Sequence, residues 1–134
     1  MRTMERKAHT LAETVKRFYN LLGGYTNSDF SINQPELEAL LNLFSDHIYY
    51  NRCGKIIEGK DALRKFYEHE RRLYGKHTLD KIVVDESDNG SAAVLGTFDG
   101  VNKAQKRLLV RFSDFFGFDS QGKISFRETL TAQI

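Results

Sequence analysis

The segment Arg111–Asp119, RFSDFFGFD, sets a carboxylate among phenyl rings. Read as a β-strand, it places Val110, Phe112, Asp114, Phe116 and Phe118 on one face. An unpaired carboxylate in such a row costs more than a small domain can spare, so Asp114 must be paired, protonated or hydrated. The end of the chain offers a partner. If the turn DSQG closes a hairpin with Phe118 opposite Lys123, then Asp114 faces Arg127, Phe112 faces Thr129 and Val110 faces Thr131. The other face then carries Phe115 against Phe126, Ser113 against Glu128 and Arg111 against Leu130. A one-residue slip would move Arg127 to the opposite face. Two chemistries are open to the inner face. Asp114 and Arg127 can form a cross-strand ion pair that only satisfies both charges. Alternatively, a concave apolar face with a few convergent polar groups is a small-molecule pocket, in which the acid is held protonated or acts as a base.

Other reactive residue types give weaker patterns. His9, His47, His69 and His77 are scattered, and HERRLYGKH has neither the spacing nor the carboxylates of a zinc site, so no metal is expected. DESDNG begins like a calcium loop, but its twelfth position is Gly96 and strands are expected on both sides, which makes it a hairpin turn. Cys53 has no second cysteine to bridge to and no histidine assigned to it, so it reads as a small buried or half-exposed residue and not as a nucleophile. Tyr50 and Arg52, in a short extended piece, are candidates to line a pocket.

The elements that must position these groups follow from periodicity. Met4, Ala8, Leu11, Val15, Phe18 and Leu22 recur at steps of four and three, predicting a helix that ends at Gly23-Gly24. Tyr19 sits one residue beside that stripe, where its ring packs and its hydroxyl seeks a partner. Pro35, Glu36 and Glu38 open a second helix with Leu37, Leu40, Leu41 and Phe44 on its apolar side. HIYYN leads through RCGK to IIEG. A third helix is expected with Ala62, Leu63, Phe66, Tyr67, Leu73 and Tyr74 inward and Glu68, Glu70, Arg71 and Arg72 solvated. From His77 onward the period becomes two, giving strands at about 78–85, 91–98, 106–118 and 124–131, separated by SDNG, DGVNKA and DSQG. Helices first and hairpin-linked strands afterwards predict a single α+β domain over 1–134, with an antiparallel sheet covered on one face.

The 20 Lys+Arg against 18 Asp+Glu leave a formal net charge of +2, without the concentrated basic field that a nucleic acid requires. No apolar run approaches the ~18 residues of a membrane span. The opening MRTMERKAHT has no apolar export region. A cytoplasmic protein with neither nucleic-acid nor membrane partner is expected.

Three segments together, LFSDHIYY, EGKDALRKFYE and SDFFGFDSQGKISFRE, resemble the NTF2-like superfamily, and in particular its SnoaL-like and ketosteroid-isomerase-like members. The resemblance implies a cone-shaped α+β barrel, with three N-terminal helices packed on a strongly curved antiparallel sheet around a deep pocket. It also implies a homodimer joined through the sheets, to which Phe115, Phe126 and Leu130 would contribute. Tyr19 falls where the isomerases keep their oxyanion-hole tyrosine, and Asp114 where they keep a protonated aspartic acid. Their general base would fall near Asn51 or Arg52, and neither side chain can do that work. The resemblance thus implies a pocket for a small, largely apolar molecule and no cofactor. It is compatible with an acid–base isomerase, cyclase or lyase acting on a carbonyl compound. In that reading Asp114 and Tyr19 are catalytic, Arg127 or Arg52 tunes their charge, and Tyr50, Phe112, Phe116 and Thr129 line the site. The alternative is a non-catalytic ligand-binding or dimerisation module with Asp114–Arg127 as a structural ion pair.

Overall fold

The structure is a computed structural model that describes residues 10–134, so Met4, Ala8 and His9 lie outside the described residues. Helix α1, Leu11–Gly24, begins at Thr10, whose hydroxyl accepts from the Glu13 amide at 3.1 Å while Glu13 accepts from the Thr10 amide at 2.9 Å. This reciprocal cap satisfies two of the free donors at the helix start. Glu86 satisfies two more, accepting from the Leu11 and Ala12 amides at 2.8 and 3.1 Å. Those contacts fasten α1 across the sheet, with Leu11, Val15, Phe18 and Leu22 buried beneath it.

Helix α2, Gln34–Leu41, is capped by Asn33 and carries Pro35 in its first turn. Phe44, expected at the end of this helix, instead opens strand β1, Phe44–Arg52. It pairs there with Ile124, whose amide donates to the Leu43 carbonyl at 2.8 Å. A long-range partner thus claims the residue after the helix is capped at Asn42.

Strand β2, Lys55–Glu58, returns along β1 and leads to α3, Lys60–Lys65. The third helix stops earlier than expected. Its last turn, Phe66–Glu70, is a π turn closed by the Arg71 amide donating to the Phe66 carbonyl at 2.9 Å. Widening the helix by one residue changes its phase, so Arg71 turns inward and becomes 8% exposed instead of solvated. Leu73 and Tyr74 leave the helix altogether and pair with Asn102 and Val101.

Strands β3, Leu73–Asp85, β4, Ser91–Asn102, β5, Arg107–Phe118, and β6, Ile124–Gln133, complete a six-stranded sheet in the order β2-β1-β6-β5-β4-β3. The α+β class holds, with one departure from the antiparallel expectation: β1 runs parallel to β6. Irregularities between Leu79 and Lys81 and between Gly117 and Phe118 bend the strands. The second also resets the hairpin. Phe118 pairs with Ile124, one residue later than expected, and the bulge adds another residue, so that Asp114 faces Thr129 and Phe116 faces Arg127. A shift of two preserves the faces, which keeps Asp114, Arg127 and Thr129 together on the inner side.

Candidate functional site

Asp114 is 3% exposed, and four donors converge on it. Its Oδ1 accepts from Arg127 Nε at 3.1 Å and from the Thr129 hydroxyl, and its Oδ2 accepts from Arg127 Nη2 at 3.1 Å and from the Tyr19 hydroxyl. Helix α1 supplies Tyr19, and β5 and β6 supply the rest. The expected rivals for Asp114, Arg127 and Tyr19, therefore both hold it. All four contacts, from three residues, are donated to it, which is the environment of a carboxylate acting only as an acceptor, with a bidentate guanidinium on one side.

The network extends outward. The Tyr50 hydroxyl lies 3.0 Å from Thr129 Oγ1, and Arg127 Nη1 donates to the Tyr67 hydroxyl at 3.4 Å. The guanidinium of Arg127 lies 4.6 Å from the Phe18 ring centre and 4.5 Å from that of Tyr50, so it is paired in its plane and stacked on its faces. Burial is the largest single influence and weakens its charge, but the Asp114 carboxylate together with Tyr50, Tyr67 and Tyr19 more than offsets it and holds its pKa well above the ordinary value. Burial, followed by the negative charge of Asp114, pushes the Tyr19 phenol far up, so its proton stays.

Above this network lies a cavity of about 130 Å³. Leu22, Leu73, Phe98, Leu108, Val110 and Phe112 form its apolar wall. Tyr50, Arg52, Asp114, Arg127 and Thr129 also reach it, whereas Tyr19 and Phe116 stand behind the network and do not line it. Gly96 makes room for one wall: a Cβ there would stand 2.6 Å from the Phe112 ring. Asn51 is occupied in the β1–β2 turn, where its Oδ1 accepts from the Gly54 amide at 2.8 Å, and Arg52 lies over the Phe66 ring at 5.4 Å. Cys53 is exposed, contrary to the buried or half-exposed expectation, because the same turn gives it a φ of 51° and points it away from the core. Among the described residues no group of three His, Cys, Asp or Glu could hold a metal ion, and no helix is long and apolar enough to cross a membrane.

Two of the lining residues that sequence reasoning did not place there carry ionisable nitrogens, Arg71 and His77. The π turn hid Arg71. His77 carried a usable signal, since alternation continued back from Leu79 puts His77, Gly75 and Leu73 on one face of β3. Its ring lies 4.8 Å from that of Phe98 and 5.7 Å from that of Tyr19. Burial, then the charges of Arg71 and Arg127, push its pKa down to about 3, so the imidazole is neutral near pH 7.

With this geometry in hand, comparison places the chain among known proteins. A sequence model of the SnoaL-like domain matches residues 25–126, more than half of the chain. No curated protein gives a match. Many solved structures share the fold. An NTF2-like protein of unknown function from Exiguobacterium is 19% identical with a TM-score of 0.70, over 90% of this chain and 99% of that one. SalBIII, an epoxide hydrolase/cyclase-like enzyme of pyran ring formation in the polyether salinomycin, is 17% identical with a TM-score of 0.68, over 91% and 90%. RV0760c from Mycobacterium tuberculosis, in complex with estradiol-17beta-hemisuccinate, is 16% identical with a TM-score of 0.68, over 90% and 93%. At these identities the likeness speaks for the fold.

Proposed function

This chain belongs to the SnoaL-like domain family, and from that premise we propose that it binds a small, largely apolar molecule in the cavity over Asp114. The Asp114–Arg127 pair is the floor of that pocket and not its proton-transfer couple. The observation that carries this reading is the double occupancy of both Asp114 oxygens. A carboxylate with all its neighbours donating has neither a proton to give nor a free lone pair aimed at a ligand. Tyr19 spends its proton on Asp114 and is absent from the cavity wall. Size narrows the ligand further. Pockets for drug-sized molecules run to roughly 300–1,000 Å³, and an apolar void of about 150 Å³ takes one benzene-sized ring. A cavity of about 130 Å³ therefore suits a single ring or a short branched chain.

Native mass spectrometry of the purified chain tests this reading, with soaking in benzyl alcohol as the second arm. A 1:1 adduct of low mass is expected. Absence of any adduct, together with no saturable binding of the probe, would remove the pocket reading.

Acid–base chemistry on a carbonyl compound is a second reading, favoured by one observation: His77 Nδ1 is buried without a hydrogen-bond partner. In that reading the neutral His77 donates from Nδ1 to the substrate's carbonyl oxygen, because a pKa of about 3 makes it a poor proton acceptor. We further propose a cytoplasmic homodimer joined through the outer sheet face. There Val83, Leu95, Phe115 and Leu130 stand 56%, 44%, 46% and 57% exposed side by side, which is the surface a second copy would cover.

A further inference from the structure

Three guanidinium groups and one carboxylate reach the cavity: Arg52, Arg71 and Arg127 against Asp114. Arg127 and Asp114 neutralise each other. Arg71 has no such partner. It is 8% exposed, forms no salt bridge among the described residues, and its Nη1 is buried without a hydrogen-bond acceptor. Its guanidinium rests 5.7 Å from the Tyr25 ring centre and 6.0 Å from that of Phe98. Contacts with two ring faces offset only part of the cost of a buried cation, and an unmade charged hydrogen bond is among the expensive defects of an interior. The second orphan is Nδ1 of His77, a residue that lines the same cavity with its ring tilted against the same Phe98 ring at 4.8 Å. Two unsatisfied nitrogens thus flank one ring of the cavity's apolar wall.

We propose that the ligand is a compact apolar monocarboxylate, its carboxylate accepting from Arg71 Nη1 and His77 Nδ1 while its hydrocarbon part lies against Leu22, Leu73, Phe98 and Phe112. This deepens the pocket reading above and rests on it. A carboxylate supplies the acceptor that each nitrogen lacks and the counter-charge that Arg71 lacks. His77 can donate from Nδ1 as the corresponding neutral tautomer, so binding requires no change of net charge on the protein. The cavity volume restricts the hydrocarbon to about one ring or a short chain of similar bulk.

The test is a calorimetric titration of the full chain with two matched pairs, benzoate against benzyl alcohol and hexanoate against hexanol. Benzoate or hexanoate should bind about tenfold or more tightly than its alcohol, the usual advantage of a charge-assisted hydrogen bond. Arg71→Met should collapse the acid-to-alcohol affinity ratio to within about twofold of one, whatever it does to alcohol binding itself, and Arg71→Lys should retain part of that ratio. Urea unfolding of each variant confirms that it is folded at the titration temperature. Equal affinity for acid and alcohol in the wild type, or a preference that survives Arg71→Met, overturns the carboxylate assignment while leaving the apolar pocket intact. Failure of all four probes to bind removes both.

Discussion

Replacing Asp114 by Asn keeps the shape of the side chain and removes its charge. Asn has one acceptor oxygen and an amino group that can only donate. Of the four donors now aimed at the carboxylate, two would face that amino group. The Tyr19 and Thr129 hydroxyls can rotate away, but Arg127, 5% exposed and held between the Phe18 and Tyr50 rings, cannot. Its charge is left buried and unpaired. Breaking a buried pair from one side costs about 3–5 kcal/mol, a large fraction of the roughly 5–15 kcal/mol that stabilises a typical domain. With a urea dependence of about 2 kcal/mol per molar, the midpoint should fall by about 2 M at pH 7. Arg127→Met, which keeps apolar bulk between the two rings, should be similarly costly alone because it strands the carboxylate. The double variant should recover much of the loss, with a coupling of about 2 kcal/mol or more. A loss below about 1 kcal/mol for Asp114→Asn, or additive single effects, would refute a charged Asp114–Arg127 pair and restore a protonated acid.

Three other perturbations probe separate parts of the structure. Tyr19→Phe removes one of four donors to Asp114, so stability should fall by about 1–2 kcal/mol in urea unfolding while benzyl alcohol affinity is unchanged, since Tyr19 does not line the cavity. His77 has a pKa of about 3 in the folded chain against 6.5 in the unfolded one, so only the unfolded chain takes up the proton as pH drops below 6.5. Stability is therefore lost on acidification from 6.5 towards 3, by about 2 kcal/mol at pH 5 from 1.5 pH units at 1.36 each. His77→Gln should flatten the urea midpoint between pH 7 and 5, and an unchanged slope would show that the imidazole is not buried as described. Phe115→Glu on the outer face should give a monomer in analytical ultracentrifugation with the far-ultraviolet circular dichroism unchanged, whereas a wild-type monomer would dismiss the dimer.

What the sequence disclosed, and what it hid, follows the range of the interactions involved. The α1 stripe, the hairpin turns and the two faces of β5 depend on neighbours in the chain, and each could be read from spacing. The inner placement of Asp114, Arg127 and Thr129 survived because the register error was two residues, an even number, although the bulge that Gly117 marks was not read from the sequence. The parallel pairing of β1 with β6 joins segments about 80 residues apart, beyond the reach of any local pattern. Arg71 was misplaced for a different reason. Helical phase assumes 3.6 residues per turn, and a single π turn after Lys65 invalidates it for everything that follows. His77 was missed only because the alternation was begun at Thr78 and not at Leu73, where β3 starts.

The central claim is that the concave face encloses a ligand pocket over a structurally committed Asp114. Its most direct measurement is a methyl-resolved NMR titration of the full chain with benzyl alcohol. The methyl groups of Leu22, Leu73, Leu108 and Val110 line the cavity, whereas those of Val83, Leu95 and Leu130 lie on the outer sheet face. Saturable shifts confined to the first group are expected. Shifts confined to the second group, or no saturation at all, would contradict the pocket.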